Sequence, residues 1–297
     1  MENGGGSTLR LCGAFVAGGA FGAYLAASLY ARSQEALTSD GTRTSSVAVS
    51  AAANPGKRER GEERQHSEEQ SHQSLSVAED EILAEHFTRN VQFFGVEAQQ
   101  RVAESFVVVV GLGGVGSHCA HMLLRSGVSR LRLIDFDQVS LSSLNRHAVA
   151  TRSDVGTSKA ECLAEHFRDI YPEATLDVRV AMYEEAAEEE LLGGDPDFVV
   201  DCIDNIDTKV HLLAACVRRG VPVLACGGAG AKCDPTRVRI VDIAESVVDP
   251  LARAVRHRLK RDHNIESGVP VLLSTEKQRC KLVRLLLASM NETEKDA

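Results

Sequence analysis

An unbroken apolar run, FVVVV at 106–110, stops at the glycines of GLGGVG and gives way to HCAHMLLRSGV, whose apolar residues recur at helical spacing. A short β-branched run without polar alternation is a strand buried on both faces, and the change of period after it marks a strand, a tight turn and a helix. The alternation continues: LRLIDFD predicts a strand, KAECLAEHFRDIY a helix, TLDVRVAM a strand, AAEEELL a helix, FVVDCID a strand, KVHLLAACVRRG a helix and VPVLACG a strand. Parallel neighbours need a long crossover, and a helix supplies it. The pattern therefore predicts an α/β fold with a doubly wound, mainly parallel sheet.

The flanks read differently. Residues 11–30, LCGAFVAGGAFGAYLAASLY, carry no charge, and about 20 such residues in a helix cross a bilayer core. Residues 1–32 are thus expected to be an N-terminal hydrophobic helix acting as a membrane anchor, or a targeting segment that is cleaved; Gly18 and Gly22 give the small-residue spacing that membrane helices use. Residues 33–78, with TSDGTRTSS, NPGKRERGEERQ and HSEEQSHQS, hold almost no large apolar side chain and read as a disordered linker. The globular part is expected at 79–277, opening with a short helix around Ile82, Leu83 and Phe87. Residues 278–297 form a C-terminal tail, read as a short amphipathic helix with a polar end.

Composition narrows the function. The absence of tryptophan and only 4% aromatic residues leave few stacking platforms for bases. A formal charge of -9 argues against indiscriminate nucleic-acid binding. The eight cysteines include no C-x-x-C pair, which disfavours a structural zinc site and suits a reducing compartment.

Gly111, Gly113, Gly114 and Gly116 lie where the buried strand turns into a helix, the place where backbone can approach a phosphate and a helix N-terminus offers free N–H groups. The fold expected is therefore Rossmann-like. Asp135 ends the second strand, at the distance where a carboxylate accepts ribose hydroxyls, and Asp137 follows one alternation later. Arg146 and Lys159 bracket the next loop; two cations there suit charge accumulating on an α-phosphate and departing pyrophosphate, whereas hydride transfer has no need of them. Asp201, Asp204 and Asn205 close the strand FVVDCIDN at the crevice, where a carboxylate can hold magnesium against phosphate oxygens.

GLGGVG, DFDQVSLSSLNR, VGTSKAE and DCIDNIDTK together resemble the adenylation domain shared by ubiquitin-activating enzymes and the molybdopterin and thiamin sulfur-carrier activators. The resemblance implies ATP and magnesium as cofactors. It implies a nucleotide site made of the four glycines with Asp135, Asp137, Ser143, Asn145, Arg146, Lys159, Asp204 and Asn205: Asp135 on the ribose, Arg146 and Lys159 on the phosphates, Asp204 on the metal. Ser143 stands where the family usually has asparagine. Arg89, in TRNVQFFG, matches the arginine that reaches the partner's ATP, so a homodimer follows, with Arg89, Arg146, Lys159 and Asp204 as the catalytic set.

VSLSSLNRH, AKCDPTRVRIVDIAES and DPLARAVRHRLKR with GVPVLLSTEK are most similar to the tRNA threonylcarbamoyladenosine dehydratase family, especially its fungal, membrane-associated forms. That implies adenylation of the side-chain carboxylate of threonylcarbamoyladenosine in tRNA, then cyclisation. It also implies a mitochondrial outer-membrane location with the catalytic domain facing the cytosol. The basic run Arg253, Arg256, Arg258, Lys260 and Arg261 is either a contact for tRNA phosphates or a solvated helix face. Cys226 and Cys233 flank GGAGAK and read as core or crevice thiols. Two alternatives stay open: an activator of a ubiquitin-like or sulfur-carrier protein, and a non-catalytic scaffold of the same fold. Nicotinamide-dependent reduction comes last, because it leaves the two cations unexplained.

Overall fold

The computed structural model describes residues 80–277 and residue 280. The expected N-terminal hydrophobic helix and linker, and most of the C-terminal tail, lie outside the described residues. Among those described, no helix is long and apolar enough to cross a membrane.

Three helices open the domain where one was expected: α1 (Glu81–His86), α2 (Thr88–Phe94) and α3 (Val96–Glu104). Asp80 starts α1 by accepting from the Ile82 and Leu83 amides, and Gly95, at φ +85°, separates α2 from α3 in a conformation that a side chain would strain. The alternating part follows the sequence pattern closely: β1 (Phe106–Val110), α4 (Gly116–Arg125), β2 (Arg130–Ile134), α5 (Lys159–Ile170), β3 (Thr175–Arg179), α6 (Glu188–Leu192), β4 (Phe198–Asp201), α7 (Ile206–Arg219) and β5 (Val223–Cys226). Beyond it lie β6 (Val238–Asp242), α8 (Pro250–His263) and β7 (Pro270–Ser274), of which β6 and β7 were not predicted.

The seven strands run in the order β3-β2-β1-β4-β5-β7-β6. All neighbours are parallel except β6, which pairs antiparallel with β7. Every residue of β1 is buried because alternate side chains enter opposite layers: Val107 and Val109 join α4, α5 and the entry helices, while Val108 and Val110 join α6, α7 and α8. The sheet is thus covered on both sides, the arrangement that allows strands to read as continuous apolar runs.

After β3 the chain crosses back over β1 to make β4, so winding reverses between β1 and β4. The loops at the carboxyl ends of these two strands diverge and leave a crevice. A separate cavity of about 490 Å³ opens at the amino ends of β4, β5 and β7, beside Pro222 and Pro270, and no charged side chain lines it. Chemistry belongs to the crevice.

Candidate functional site

The glycine turn forms the floor. Gly111 has φ +88°, and a Cβ there would come within 2.9 Å of the Cys202 carbonyl oxygen at the end of β4. A Cβ on Gly116 would lie 1.8 Å from the Gly111 carbonyl oxygen. These two glycines close the turn against itself and against β4. Gly114 faces Arg146, whose side-chain carbons stand 3.1–3.3 Å from where a Cβ would be. Gly113 faces open space, with nothing within 4 Å. Helix α4 begins without a side-chain cap; the Ser117 amide turns back to the Gly113 carbonyl at 3.1 Å, and the helix dipole favours an anion at this end.

Asp135 borders this floor and is 8% exposed. Its Oδ2 accepts from the Leu112 amide at 2.6 Å and its Oδ1 from the Asp137 amide at 2.8 Å. Burial raises its pKa above the ordinary carboxylate value, outweighing these two amides and the nearby Lys159, which pull the other way. Asp135 therefore ties the glycine turn to the next loop, and each oxygen retains acceptor capacity for a ligand hydroxyl.

Lys159, 7% exposed, is the first residue of α5, and its Nζ meets Asp137 Oδ2 at 2.5 Å. The backbone zips the same two segments together through Lys159 N to Asp137 O at 3.0 Å and Val139 N to Thr157 O at 2.8 Å. Arg146 is exposed, its Nη1 donating to Ser142 O at 2.8 Å and to Asn145 Oδ1 at 3.3 Å. Ser143 turns inward instead. It is 4% exposed, donates to Ser140 O at 2.7 Å and accepts from Ser140 N at 2.8 Å, closing its own turn.

The three residues expected after β4 separate in role. The Asp201 side chain is fully buried and ion-paired with Lys209 at 2.7 Å; burial raises its pKa, and Lys209 only partly offsets that. It is thus unavailable as a metal ligand, because Lys209 occupies it. Lys209 also donates to the Ile203 carbonyl at 2.9 Å, fixing the backbone just before Asp204. Asp204 is exposed and makes no hydrogen bond or ion pair with other described residues. Asn205 caps α7, accepting from Thr208 N at 3.1 Å. Lys209 went unsingled in the sequence, although its spacing of eight from Asp201 across a helix start was the available signal.

Arg89, on α2, is exposed and its Nη1 donates to Gln92 at 3.0 Å; it takes no part in this chain's crevice contacts. The basic run on α8 is largely engaged. Arg258 pairs with Asp207 and Asp262, Arg261 with Asp262 and Lys260 with Glu266, and Arg256 donates to Ala244 O at 3.0 Å. Cys226 is 4% exposed with its sulfur 3.5 Å from Cys202 Sγ. Cys233 Sγ lies 3.6 Å from Glu276 Oε1.

A doubly wound sheet with a glycine turn at the reversal point, an acidic strand end and two cations beside it defines a Rossmann-like domain of the adenylating type. The chain belongs to the ThiF family, whose profile matches residues 87–266. It is 47% identical over 210 residues to tRNA threonylcarbamoyladenosine dehydratase 2 of Saccharomyces cerevisiae, covering 70% of this chain and 47% of that one. It is 35% identical to tRNA threonylcarbamoyladenosine dehydratase of Escherichia coli, covering 68% of this chain and 78% of that one. The chain thus spans about half the length of the yeast relatives it matches. The crystal structure of E. coli tRNA N6-threonylcarbamoyladenosine dehydratase in complex with ATP matches with a TM-score of 0.65 at 35% identity, over 67% of this chain and 84% of that one. The same protein in complex with AMP matches with a TM-score of 0.67 at 34% identity, over 69% of this chain and 86% of that one.

These matches correct one expectation. The mitochondrial outer-membrane location rested on likeness to fungal forms, but the same domain matches the proteins of E. coli and, at 38% identity, Bacillus subtilis, organisms without that membrane. Family membership carries no such location, and it is withdrawn.

Proposed function

We propose that the protein is an ATP-dependent tRNA threonylcarbamoyladenosine dehydratase that adenylates the side-chain carboxylate of the modified adenosine and promotes its cyclisation. The observation that carries the reading is the crevice: the open face of Gly113, the uncapped start of α4, Asp135, Arg146, Lys159 and an Asp204 that pairs with no other described residue all belong to segments at the carboxyl ends of strands around one reversal. The relatives' names and the ATP and AMP bound to the E. coli protein support it.

In this reading Asp135 accepts the ribose hydroxyls. Arg146, Lys159 and the α4 N–H groups bear the charge that develops on the α-phosphate as the carboxylate oxygen attacks phosphorus and pyrophosphate leaves. Lys159 reaches a phosphate by exchanging its half-exposed Asp137 partner for the ligand's charge. The acyl-adenylate then offers its carbonyl to a nucleophile of the same modified residue, ring closure expels AMP, and proximity supplies much of the rate. Asp204 fits magnesium, being an oxygen donor that no cation of the described chain occupies, and magnesium when bound would neutralise phosphate charge.

A homodimer belongs to this proposal. The Arg89 helix is flanked by Phe93 at 81% exposure and Val96 at 38%, an apolar margin suited to burial against a second copy. Arg89 would then serve the partner's nucleotide.

The test is AMP and pyrophosphate formation from ATP and magnesium by the full chain, with and without tRNA carrying threonylcarbamoyladenosine. Turnover requiring that tRNA, and reduced at least about 100-fold in Asp204→Ala, is expected. ATP binding without turnover would make the protein a scaffold, and no ATP binding would end the adenylation argument. Mixing Arg89→Ala with Asp204→Ala should restore part of the activity if Arg89 acts across the dimer.

A further inference from the structure

Outside the crevice, three side chains of metal-binding type converge on α5. The ligand atoms of Asp154, Cys162 and His166 all lie within 4.8 Å of one another. Cys162 and His166 are four residues apart on α5 and share one helix face. Asp154 closes onto that face from the short turn Arg152–Asp154, its Oδ2 standing 3.2 Å from His166 Nε2. Cys162 is 1% exposed and the other two are half-buried, so the cluster sits at the edge of the core.

The donor set is selective. A thiolate, an imidazole and a carboxylate suit zinc, and bonds of about 2.0 to 2.3 Å in a tetrahedron need ligand atoms only roughly 1 Å closer than the limit seen here. Asp154 already accepts from Thr151 N and Thr151 Oγ1, each at 2.7 Å. A cation therefore replaces the His166 contact and leaves a carboxylate whose orientation the turn has set.

A second observation concerns His147, which is 8% exposed. Its Nδ1 accepts from the Ala150 amide at 3.1 Å, so the proton of the neutral ring sits on Nε2, and that buried N–H has no hydrogen-bond partner among the described residues. His147 also feels the charges of His166 and Asp154, which puts it in the same neighbourhood. A buried donor without an acceptor is unfavourable.

The geometry points to a zinc site formed by Asp154, Cys162 and His166, with water in the fourth position. Without metal the Cys162 thiol stays protonated, pushed up to about 12 by burial and then by the charges of Asp154 and Glu165. On binding, the sulfur–hydrogen bond breaks, the proton leaves to solvent and a sulfur–zinc bond forms, with no change of oxidation state. The site pins the turn before α5 to the helix whose first residue is Lys159, so the metal would brace the loop that presents that cation to the crevice.

The experiment titrates cobalt(II) chloride, then zinc chloride, into the chelator-treated full chain. One cobalt per chain with a thiolate-to-metal charge-transfer band, bleached by zinc, is expected. Cys162→Ser should abolish the band and weaken zinc binding at least about 100-fold, since even loss of a residue that merely orients a ligand costs 10- to 100-fold. Cys280→Ser, at an exposed thiol, should leave both unchanged. Absence of the band in the unaltered protein overturns the assignment whatever the variants do, as does a band that survives Cys162→Ser.

Discussion

The glycine turn permits a paired test of packing against ligand contact. In Gly116→Ala the new methyl lies 1.8 Å from the Gly111 carbonyl oxygen. Carbon and oxygen tolerate little under about 3 Å, so the turn and the start of α4 must part by roughly 1 Å, and overpacking of this kind costs about 1 to 3 kcal/mol. A 1 Å displacement of groups that orient a reacting phosphate costs about 100-fold in rate. Gly116→Ala is therefore expected to lower both the urea midpoint and kcat/KM, the latter at least about 100-fold. Gly113→Ala adds its methyl to open space, with nothing within 4 Å. Its stability should stay within about 0.5 kcal/mol of the parent, while ATP affinity measured by calorimetry falls, because the space it fills is the one assigned to the nucleotide. An unchanged urea midpoint in Gly116→Ala would refute the packing argument, and unchanged affinity in Gly113→Ala would remove the phosphates from that face.

Two further perturbations address buried charge. Lys209→Met leaves the fully buried Asp201 carboxylate without its ion-pair partner, so urea unfolding should register a loss of about 3 to 5 kcal/mol; a loss below 1 kcal/mol would show that the pair is not what holds the β4 loop. Buried histidines carry the acid sensitivity: burial lowers the pKa of His118 and His121, and it also lowers that of His147. Burial lowers its pKa from 6.5 to about 4, so as pH falls through that window the unfolded chain takes up the proton first and stability drops, by up to roughly 3 kcal/mol. Comparing urea unfolding at pH 7.5 and pH 4.5, His147→Gln should lose less than the parent, and equal losses would exclude this histidine as the cause.

The sequence by itself determined the doubly wound core and the floor of the crevice, because both are written in local periods. A buried strand, a glycine turn and an amphipathic helix occupy neighbouring residues, and FVVVV–GLGGVG needs no distant partner to be read. Asp135 and Lys159 were legible for the same reason, each standing at the end or start of such an element. The antiparallel pair β6 and β7 was not legible, since its strands are separated by α8 and take their register only from each other. Fate by contact was equally hidden. Asp201 and Asp204 look alike in DCIDN, yet Lys209 reaches back from α7 to bury one and leaves the other exposed. The basic run on α8 reads as a cationic stripe until Asp207 arrives from α7 to neutralise Arg258. Asp154, Cys162 and His166 meet only because a turn folds back onto one face of α5. Ionisable side chains act through whatever lies within a few ångströms, and for these residues the tertiary fold alone chose those neighbours.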